Sequence, residues 1–257
     1  MGLMGILYRE FEIKFKSFMM IVIIFLTPLL YMLIFGIMMQ SVVGQITYHG
    51  VIVDYTTFLT PGIFVLVMLY TSVSSCTTIY TDKQLGMFEV LLASPVSVVE
   101  YIIAKIISAL VVSLLQIGVI ILIAAALFQF LPCNLNLIGF LSLILGIFLG
   151  TLCISSIAFI LAASSTTADK FNALFNMLYL PLMFASTIFY PSNSNTPLIL
   201  KIITMINPLT HLSNLLRLSF IGIVNWELVE TALISLVYTL LLFIIAVVIF
   251  KRKGIPE

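Results

Sequence analysis

Residues 106–168 read IISALVVSLLQIGVIILIAAALFQFLPCNLNLIGFLSLILGIFLGTLCISSIAFILAASSTTA, and none of these 63 side chains is charged. Four more stretches, residues 17–53, 55–81, 171–200 and 231–250, also lack Asp, Glu, Lys and Arg. In water, so much apolar surface would drive association. At the centre of a bilayer, by contrast, a charged side chain costs about 2.5–3.5 kcal/mol. The charges therefore mark the boundaries of membrane-spanning segments.

Composition supports the same interpretation. Hydrophobic residues make up 62% of the 257 residues and charged residues only 8%, with a mean hydropathy of +1.28, whereas soluble domains carry about 25% charged residues. At about 20 residues per span, six helices and their connections use nearly the whole chain. We therefore expect one all-α transmembrane domain over residues 1–257. The net charge of +1 gives no electrostatic basis for a nucleic-acid partner.

The apolar segments predict six transmembrane helices, at residues 19–39, 59–80, 102–128, 138–163, 171–190 and 229–250. The positive-inside rule orients them in the plasma membrane with both termini cytoplasmic. Nine basic residues then lie inside: Arg9, Lys14, Lys16, Lys83, Lys105, Lys170, Lys251, Arg252 and Lys253. Only Lys201 and Arg217 lie outside. A seventh span within residues 191–228 is the competing interpretation, and it would place the last three of those basic residues outside.

Residues 1–18 predict an amphipathic helix in the membrane interface, because apolar residues recur at spacings of three and four. These residues are Leu3, Leu7, Phe11, Phe15 and Phe18. The spacing also predicts two i,i+4 ion pairs, Glu10 with Lys14 and Glu12 with Lys16. Such a helix either anchors the first span or also contacts a cytoplasmic partner, and the sequence leaves both open.

The cytoplasmic loop 82–101 is the most distinctive connection. Gly86 and Pro95 bracket a short helix that presents apolar side chains, which favours a docking element over a simple connector. Ser97 and Glu100 have the spacing of a capping box, so a new helix starts there. One turn later, Lys105 is expected to extend to the cytoplasmic surface.

On the external side, residues 191–228 are apolar but are interrupted by prolines and charges. Thr196-Pro197 and Asn207-Pro208 each place a capping residue before a proline, and Gly222 suits a helix end. We expect two short helices that form a re-entrant hairpin. Irregular backbone at that depth must be buried in protein or line a cavity, so this hairpin is a candidate gate.

Motifs for several chemistries are absent from the sequence. It contains no Gly-x-x-x-x-Gly-Lys-[Ser/Thr] and no His-Glu-x-x-His, and the middle of each predicted span is uncharged. These absences argue against an enzyme and against an ion-driven carrier. His49 and His211 are interpreted as interface residues, not metal ligands. Gly146 and Gly150 form a small-xxx-small pattern that favours close helix packing within the protomer.

Several motifs together resemble the membrane subunits of ABC-2 type ATP-binding cassette exporters. They are Phe58-Leu59-Thr60-Pro61-Gly62 before span two, residues 86–96 with Glu100 and Lys105 after it, Phe189-Tyr190-Pro191 after span five, and Asn207-Pro208-Leu209-Thr210-His211 with Leu216-Arg217 in the hairpin. The resemblance covers the whole chain. Met87 departs from it, since the family often has threonine there, and this leaves the subfamily open.

The resemblance implies a half-transporter that pairs with a second copy or a paralogue and is driven by two soluble ABC ATPase subunits. It implies no cofactor in this chain, with ATP and Mg²⁺ bound by the partner ATPase. The ATPase-coupling residues would be Gly86, Phe88, Glu89, Leu91, Leu92, Ser94, Pro95 and Glu100. The interfacial helix would contribute Arg9, Glu10, Phe11, Glu12, Lys14 and Lys16. The external gate would comprise Tyr190, Pro191, Asn207, Pro208, His211 and Arg217.

The polar residues within the spans suggest a hydrophobic or amphiphilic cargo, such as a drug, a lipid or a glycolipid. The pathway candidates are Gln116, Asn172, Asn176, Ser186 and Thr187. The loop and hairpin motifs resemble the drug-exporter branch, and an exporter of polysaccharide or lipid-linked glycan is the alternative. Two other classes stay open: a membrane-embedded enzyme acting on lipids, and a channel or scaffold without an ATPase.

Overall fold

A computed structural model describes residues 3–16, 18–86, 97–128, 136–191 and 196–253. In these residues the chain forms nine helices: α1 Leu3–Phe15, α2 Phe18–Val43, α3 Tyr55–Gln84, α4 Val98–Phe128, α5 Leu137–Ala162, α6 Ala168–Phe184, α7 Leu198–Ile206, α8 Pro208–Ile221 and α9 Trp226–Lys253. One β-hairpin, β1 Gln45–Tyr48 with β2 Val51–Asp54, separates α2 from α3. The prediction of an all-α architecture is confirmed, with the hairpin as an addition.

Four helical segments of the described chain are long and apolar enough to cross a membrane. They are Tyr55–Gln84, Val99–Ala126, Leu137–Ala162 and Trp226–Phe250. They correspond to the second, third, fourth and sixth predicted spans. The apolar segment Leu29–Val43, within α2, is shorter. The predicted first span falls inside α2.

The predicted fifth span, residues 171–190, is not one continuous helix. Helix α6 has 17 residues and ends at Phe184, and residues 185–190 continue as a compact turn. The Ser186 hydroxyl donates to the Met183 carbonyl (2.7 Å). Thr187 pairs with Ser213 (3.0 Å). Small hydroxyl side chains compete in this way with helix continuation, so apolarity alone overestimated the length of the helix.

The β-hairpin was not predicted from the sequence. His49 and Gly50 both have positive φ (48° and 80°) and form the two-residue turn between the strands. Such turns match the twist of the paired strands and favour glycine. Tyr48 and Val53 are buried, and the other strand residues are exposed or half-buried. The hairpin therefore lies as a small cap over the ends of α2 and α3.

The helix ends follow most of the predicted capping signals. The Asn207 side chain accepts a hydrogen bond from the Leu209 amide (3.0 Å) at the start of α8, and Gly222 ends that helix with φ 82°. Ser97 and Glu100 form the predicted reciprocal capping box at the start of α4. At the start of α7 the cap position is Pro197, one residue after the predicted Thr196.

Helix α3 is the central element of the bundle. It packs against α2, α4, α5 and α8, and its residues from Tyr55 to Leu69 are all buried. A larger apolar core surrounds this half of α3. A smaller one, which includes Ile79, Ile102, Phe159 and Phe171, surrounds the other half. Both ends of the molecule are thus connected through one long helix.

Glycines allow the closest helix contacts. A Cβ on Gly146 would meet Leu216 at 2.9 Å, and one on Gly150 would meet Met68 at 2.8 Å. The predicted packing of this pair within the protomer is therefore confirmed. At Gly62, a Cβ would lie 2.6 Å from the carbonyl oxygen of Ile188. That contact involves backbone, which cannot move aside like a side chain.

We expect Gly62→Ala to destabilise the protein by about 1–3 kcal/mol, because it overpacks the contact between α3 and the turn after α6. The measurement is thermal unfolding in detergent. Gly118→Ala is the matched control, since nothing lies within 4 Å of its Cβ position. It should be neutral or stabilise by up to about 1 kcal/mol. Equal melting temperatures for Gly62→Ala and wild type would contradict the close approach.

Candidate functional site

Helix α1 turns a charged face toward the bundle. Glu10 and Lys14 lie one turn apart, and their side chains are only 1% and 4% exposed. Met4 and Tyr8, on the opposite side, are 79% and 73% exposed. The apolar stripe alone gave no sign that a charged face of α1 would be buried against the bundle. Charged residues can be buried here because α3 and α4 supply partners that offset the loss of water.

Lys105 is the centre of this arrangement. Its ammonium group is fully buried and donates to the Glu10 carboxylate, to the Asp82 carboxylate (2.8 Å) and to the Thr78 hydroxyl. The Tyr101 ring centroid lies 5.1 Å from Nζ. Lys105 therefore does not extend to the cytoplasmic surface, and that prediction is wrong. The ammonium forms charged hydrogen bonds with carboxylates inside the bundle, so its side chain does not have to extend to water at the membrane surface.

Asp82 completes the cluster at the end of α3. Its Oδ2 accepts hydrogen bonds from Lys105 and from the Tyr101 hydroxyl (2.7 Å). Its Oδ1 lies 2.7 Å from Nη2 of Arg9. We call Arg9, Glu10, Lys14, Asp82 and Lys105 the charge network. It joins α1, α3 and α4 through charged hydrogen bonds.

Among the described residues, the hydrogen bonds of the Lys14 ammonium go to hydroxyl groups and not to a carboxylate. Its ammonium donates to Ser75 and to Ser108 (2.9 Å). The predicted i,i+4 pairing of Glu10 with Lys14 is replaced by the pairing of Glu10 with Lys105. Burial lowers the pKa of Lys14 to about 8, and the nearby Glu10 carboxylate partly opposes this effect. The network therefore contains a cation that loses its proton in mildly alkaline solution.

The lowered pKa of Lys14 predicts a dependence of stability on pH. Between about pH 8 and 10.5 the unfolded chain binds more protons at this site than the folded protein, so the free energy of unfolding rises with pH, by up to about 3 kcal/mol. We expect Lys14→Met to remove this rise. The measurement is the melting temperature of both proteins in detergent from pH 7 to 10.5. Parallel pH profiles would contradict the buried, charged state of Lys14.

The network lies beside the loop that the sequence identifies as the docking element. Asp82 precedes the docking segment of this loop, residues 86–95, and Glu100 and Lys105 follow that segment. Gly86 ends the α3 segment with φ 68°, and Glu100 caps α4 through Ser97. The other predicted coupling residues, Phe88, Glu89, Leu91, Leu92, Ser94 and Pro95, lie outside the described residues. Both helices that flank the loop are thus connected to α1 by the same charged groups.

The remaining residues predicted for the interfacial helix lie outside this network. Phe11 is half-buried, and its ring lies 6.3 Å from that of Phe15. Glu12 and Lys16 are exposed. Among the ion pairs of the described residues, the predicted Glu12–Lys16 pair is not found.

A second buried charge, Arg217, lies at the other end of α3. It is fully buried, and four of its N–H groups donate to the carbonyls of Phe58 (2.9 Å), Thr187 (3.0 Å) and Ile188 (3.3 Å) and to the Asn214 side chain (3.2 Å). The guanidinium stacks on the Phe58 ring at 3.7 Å. One side chain therefore joins α3, α8 and the turn after α6. Phe58 and Asp82 are separated by about 36 Å along α3, at 1.5 Å per residue.

The other predicted gate residues also make defined contacts at this end. Asn207 donates to the Leu182 carbonyl (2.7 Å), and Tyr190 donates to the Phe184 carbonyl (2.8 Å). His211 contacts the Met205 carbonyl (2.8 Å) and stacks on the Tyr238 ring. Pro208 begins α8, and Pro191 follows the α6 turn. These contacts connect α6, α7, α8 and α9.

The predicted pathway residues do not converge on one surface. Ser186 and Thr187 are buried in the turn after α6 and use their hydroxyls there. Gln116 is buried on α4. Asn172 is half-buried and Asn176 is exposed, both on α6. Polarity within an apolar segment therefore identified structural hydroxyls as well as candidate lining residues.

Sequence reasoning missed the partners in both clusters. From the sequence, Asp82 is only a residue of the loop, and Tyr101, Thr78 and Ser75 carry no signal of a role. At the other end, the sequence does not connect Arg217 with Asn214 or with Tyr48, whose ring centroid lies 5.6 Å from the guanidinium carbon. A usable signal existed for one cluster only. That signal is the presence of Asp82 and Lys105 at the adjoining ends of spans two and three. The N-terminal helix also carries charges one turn apart, at Glu10 and Lys14.

Two comparisons with known proteins bear on this arrangement. The sequence profile of the family described as "ABC-2 type transporter" matches residues 2–221. A protein of Cyanophora paradoxa named "Putative transport permease ycf38" is 29% identical over 188 residues, which cover 72% of this chain and 62% of that protein. This chain thus spans less than two thirds of the length of that relative.

Proposed function

This chain belongs to the ABC-2 type transporter family, and we propose that it is the membrane-spanning permease subunit of an ATP-driven ABC exporter. In this proposal it is not an enzyme. ATP and Mg²⁺ bind two separate soluble ABC ATPase subunits, and the permease works with a second copy or a paralogue in the plasma membrane. It moves a hydrophobic or amphiphilic substrate by alternating access.

One observation carries the proposal: the charge network connects α1 with both helices that flank residues 87–96. The hydrogen bonds of Lys105 to Glu10 and Asp82 are short, charged and buried, so they are stronger than neutral ones. A force applied to the loop would therefore move α1, α3 and α4 together. A permease driven by a soluble ATPase needs helices that move together in this way, because the ATPase pushes on only one surface of the membrane domain.

The proposed layout has six spans, with both termini and the loop on the cytoplasmic side. Helices α2 and α6 would be the first and fifth spans, and α7 with α8 the external re-entrant hairpin. The distribution of basic residues supports this orientation. Under it, Arg217 and the other gate residues lie at the external end, where they hold the re-entrant helices closed.

The proposed cargo is a drug, a lipid or a glycolipid. An aromatic row along α6 supports this class: Phe171, Phe175 and Tyr179 follow one another with centroid separations of 6.2 and 5.7 Å. Tyr70 of α3 extends it at 6.2 Å from Tyr179. Aromatic faces bind apolar groups and favour offset or edge contacts with rings. Phe171, Phe175 and Tyr179 are buried, and the row reaches the surface at Tyr70, which is exposed. We expect the cargo to pass along this side of α3 and α6.

The test is a pull-down of a candidate soluble ABC ATPase by the permease in nanodiscs. We expect the wild-type permease to retain the ATPase. The double variant Phe88→Ala/Glu89→Lys should capture at least about tenfold less ATPase activity than the wild type. Glu230→Lys is the control, because it makes the same charge reversal at an exposed position on α9. It should capture as much ATPase as the wild type.

The outcomes separate the function classes. Loss of capture in the double variant alone would establish the loop as the docking element. Equal capture by wild type and double variant would contradict that role. If the wild type retained no ABC ATPase, the exporter proposal would fail, and a channel or scaffold would account better for the chain.

A further inference from the structure

A polar cavity of about 230 Å³ opens beside Arg217, at the end of the bundle opposite the charge network. Four parts of the chain enclose it: the β-hairpin turn, the segment after α6, α8 and the start of α9. Its lining includes Tyr48, His49, Thr187, Asn214, Arg217 and Glu227. Because four separate segments line the cavity, its shape changes when any of them moves relative to the others.

The floor of the cavity is positively charged. Arg217 belongs to none of the ion pairs in the described part of the chain, since its hydrogen bonds go to neutral carbonyl and amide oxygens. A buried charge without a counter-ion produces a strong local potential. The Tyr48 hydroxyl lies at the same floor, is buried and has no hydrogen-bond partner among the described residues. A buried hydroxyl of this kind, at the wall of a polar cavity, is available to form a hydrogen bond with a bound molecule.

The rim of the cavity is negatively charged. The Glu227 carboxylate is 37% exposed, and one of its oxygens lies 3.0 Å from Nδ1 of His49. Because a carboxylate has about four lone-pair positions, it can accept a further cationic donor while it keeps this contact. The cavity thus presents a positive floor and a negative rim.

From this charge arrangement we propose that the cavity binds a zwitterionic headgroup, with a phosphate or carboxylate toward Arg217 and Tyr48 and an amine toward Glu227. Its volume lies below the range of about 300–1,000 Å³ for drug-sized ligands, so a headgroup fits and a whole amphiphile does not. The acyl or apolar part remains outside, in the membrane. Entry of the anionic group requires the Tyr48 ring to shift from above the guanidinium, whose carbon lies 5.6 Å from the ring centroid.

The headgroup can belong to a bilayer lipid or to a soluble molecule. The inference rests on the proposed function only for the external position of the cavity. Binding measured on the purified permease alone, without nucleotide or ATPase, therefore separates its failure from failure of the exporter proposal.

The experiment measures binding to the full chain in an uncharged detergent with three probes. Dihexanoyl-phosphatidylethanolamine carries phosphate, amine and short acyl chains, and glycerophosphoethanolamine is its free headgroup. Dihexanoyl-phosphatidic acid lacks the amine. The variants are Glu227→Gln and Tyr48→Phe. Their controls are Glu230→Gln, exposed one turn along α9, and Tyr238→Phe, whose hydroxyl contacts the Ile206 carbonyl outside the cavity.

We expect saturable binding of the amine probe, weakened about tenfold by Glu227→Gln and about fivefold by Tyr48→Phe, with both controls unchanged. Glu227→Gln should leave phosphatidic acid binding unaltered. Binding of the acylated probe alone identifies a membrane lipid as the source, and equal binding of both amine probes identifies a soluble headgroup. Two results would overturn the proposal. One is no saturable binding of either amine probe. The other is that the wild type binds phosphatidic acid as tightly as the phosphatidylethanolamine probe, with neither affinity changed by Glu227→Gln.

Discussion

Lys105→Met is expected to lower the free energy of unfolding by about 3–5 kcal/mol, the usual cost of breaking a buried ion pair from one side. The methionine has nearly the length of the lysine, so the change removes charge with little loss of volume. Glu10 then remains buried without its cation. Asp82 retains Arg9 and the Tyr101 hydroxyl. Most of the loss should therefore arise at Glu10.

The measurement is made in a Cys133→Ser background, which leaves the buried thiols of Cys76 and Cys153. These two react with a fluorogenic reagent only when the helices separate. Lys16→Met is the matched control, because Lys16 is exposed on the same segment as Glu10. It should change stability by less than about 0.5 kcal/mol. A loss below about 1 kcal/mol in Lys105→Met would contradict the central role of Lys105.

The double variant Glu10→Gln/Lys105→Met tests the cause of the loss. It removes one charge of each sign and leaves Arg9 with Asp82, so we expect it to recover most of the stability of the wild type. If charge balance and not packing holds α1 in place, the double variant is more stable than Lys105→Met alone. Equal instability of the two would assign the effect to packing around Lys105.

The spans and caps were predictable because their causes are local. Uncharged apolar segments in a bilayer form helices, since every backbone group must be satisfied within the segment. The cap at Asn207 and the capping box at Ser97 depend on residues within three positions of each other. The same local logic failed at α1. There it predicted pairing of Glu10 with Lys14, and the observed partner is 95 residues away.

Tertiary contacts also explain the other misses. Local hydroxyl contacts compete with the helix after Phe184, and Arg217 adds a tertiary contribution, because it satisfies the carbonyls of Thr187 and Ile188 where the helix has ended. The hairpin depends on a turn at His49-Gly50 whose strands, four residues each, are too short to show a clear alternation. Neither feature could be derived without knowing which segments meet.

Arg217→Met is expected to destabilise the protein by about 3–5 kcal/mol. Three backbone carbonyls would lose their charged donor, at about 1–3 kcal/mol each, and removal of a buried charge offsets part of that cost. Arg217→Lys keeps the charge but not the planar fork that reaches Phe58, Thr187 and Ile188 at once. It should fall between wild type and Arg217→Met. Full stability in Arg217→Lys would show that charge alone matters at this site.

The two ends of α3 allow a final check on the same variants. Lys105 and Arg217 act at sites about 36 Å apart along the helix, and substitutions more than about 10 Å apart usually add within about 0.5 kcal/mol. We therefore expect Lys105→Met/Arg217→Lys to show the sum of the single losses. Arg252→Met, at an exposed position on α9, controls for loss of an arginine. A non-additive loss would contradict independence and would mean that α3 transmits strain between the charge network and the Arg217 end of the helix.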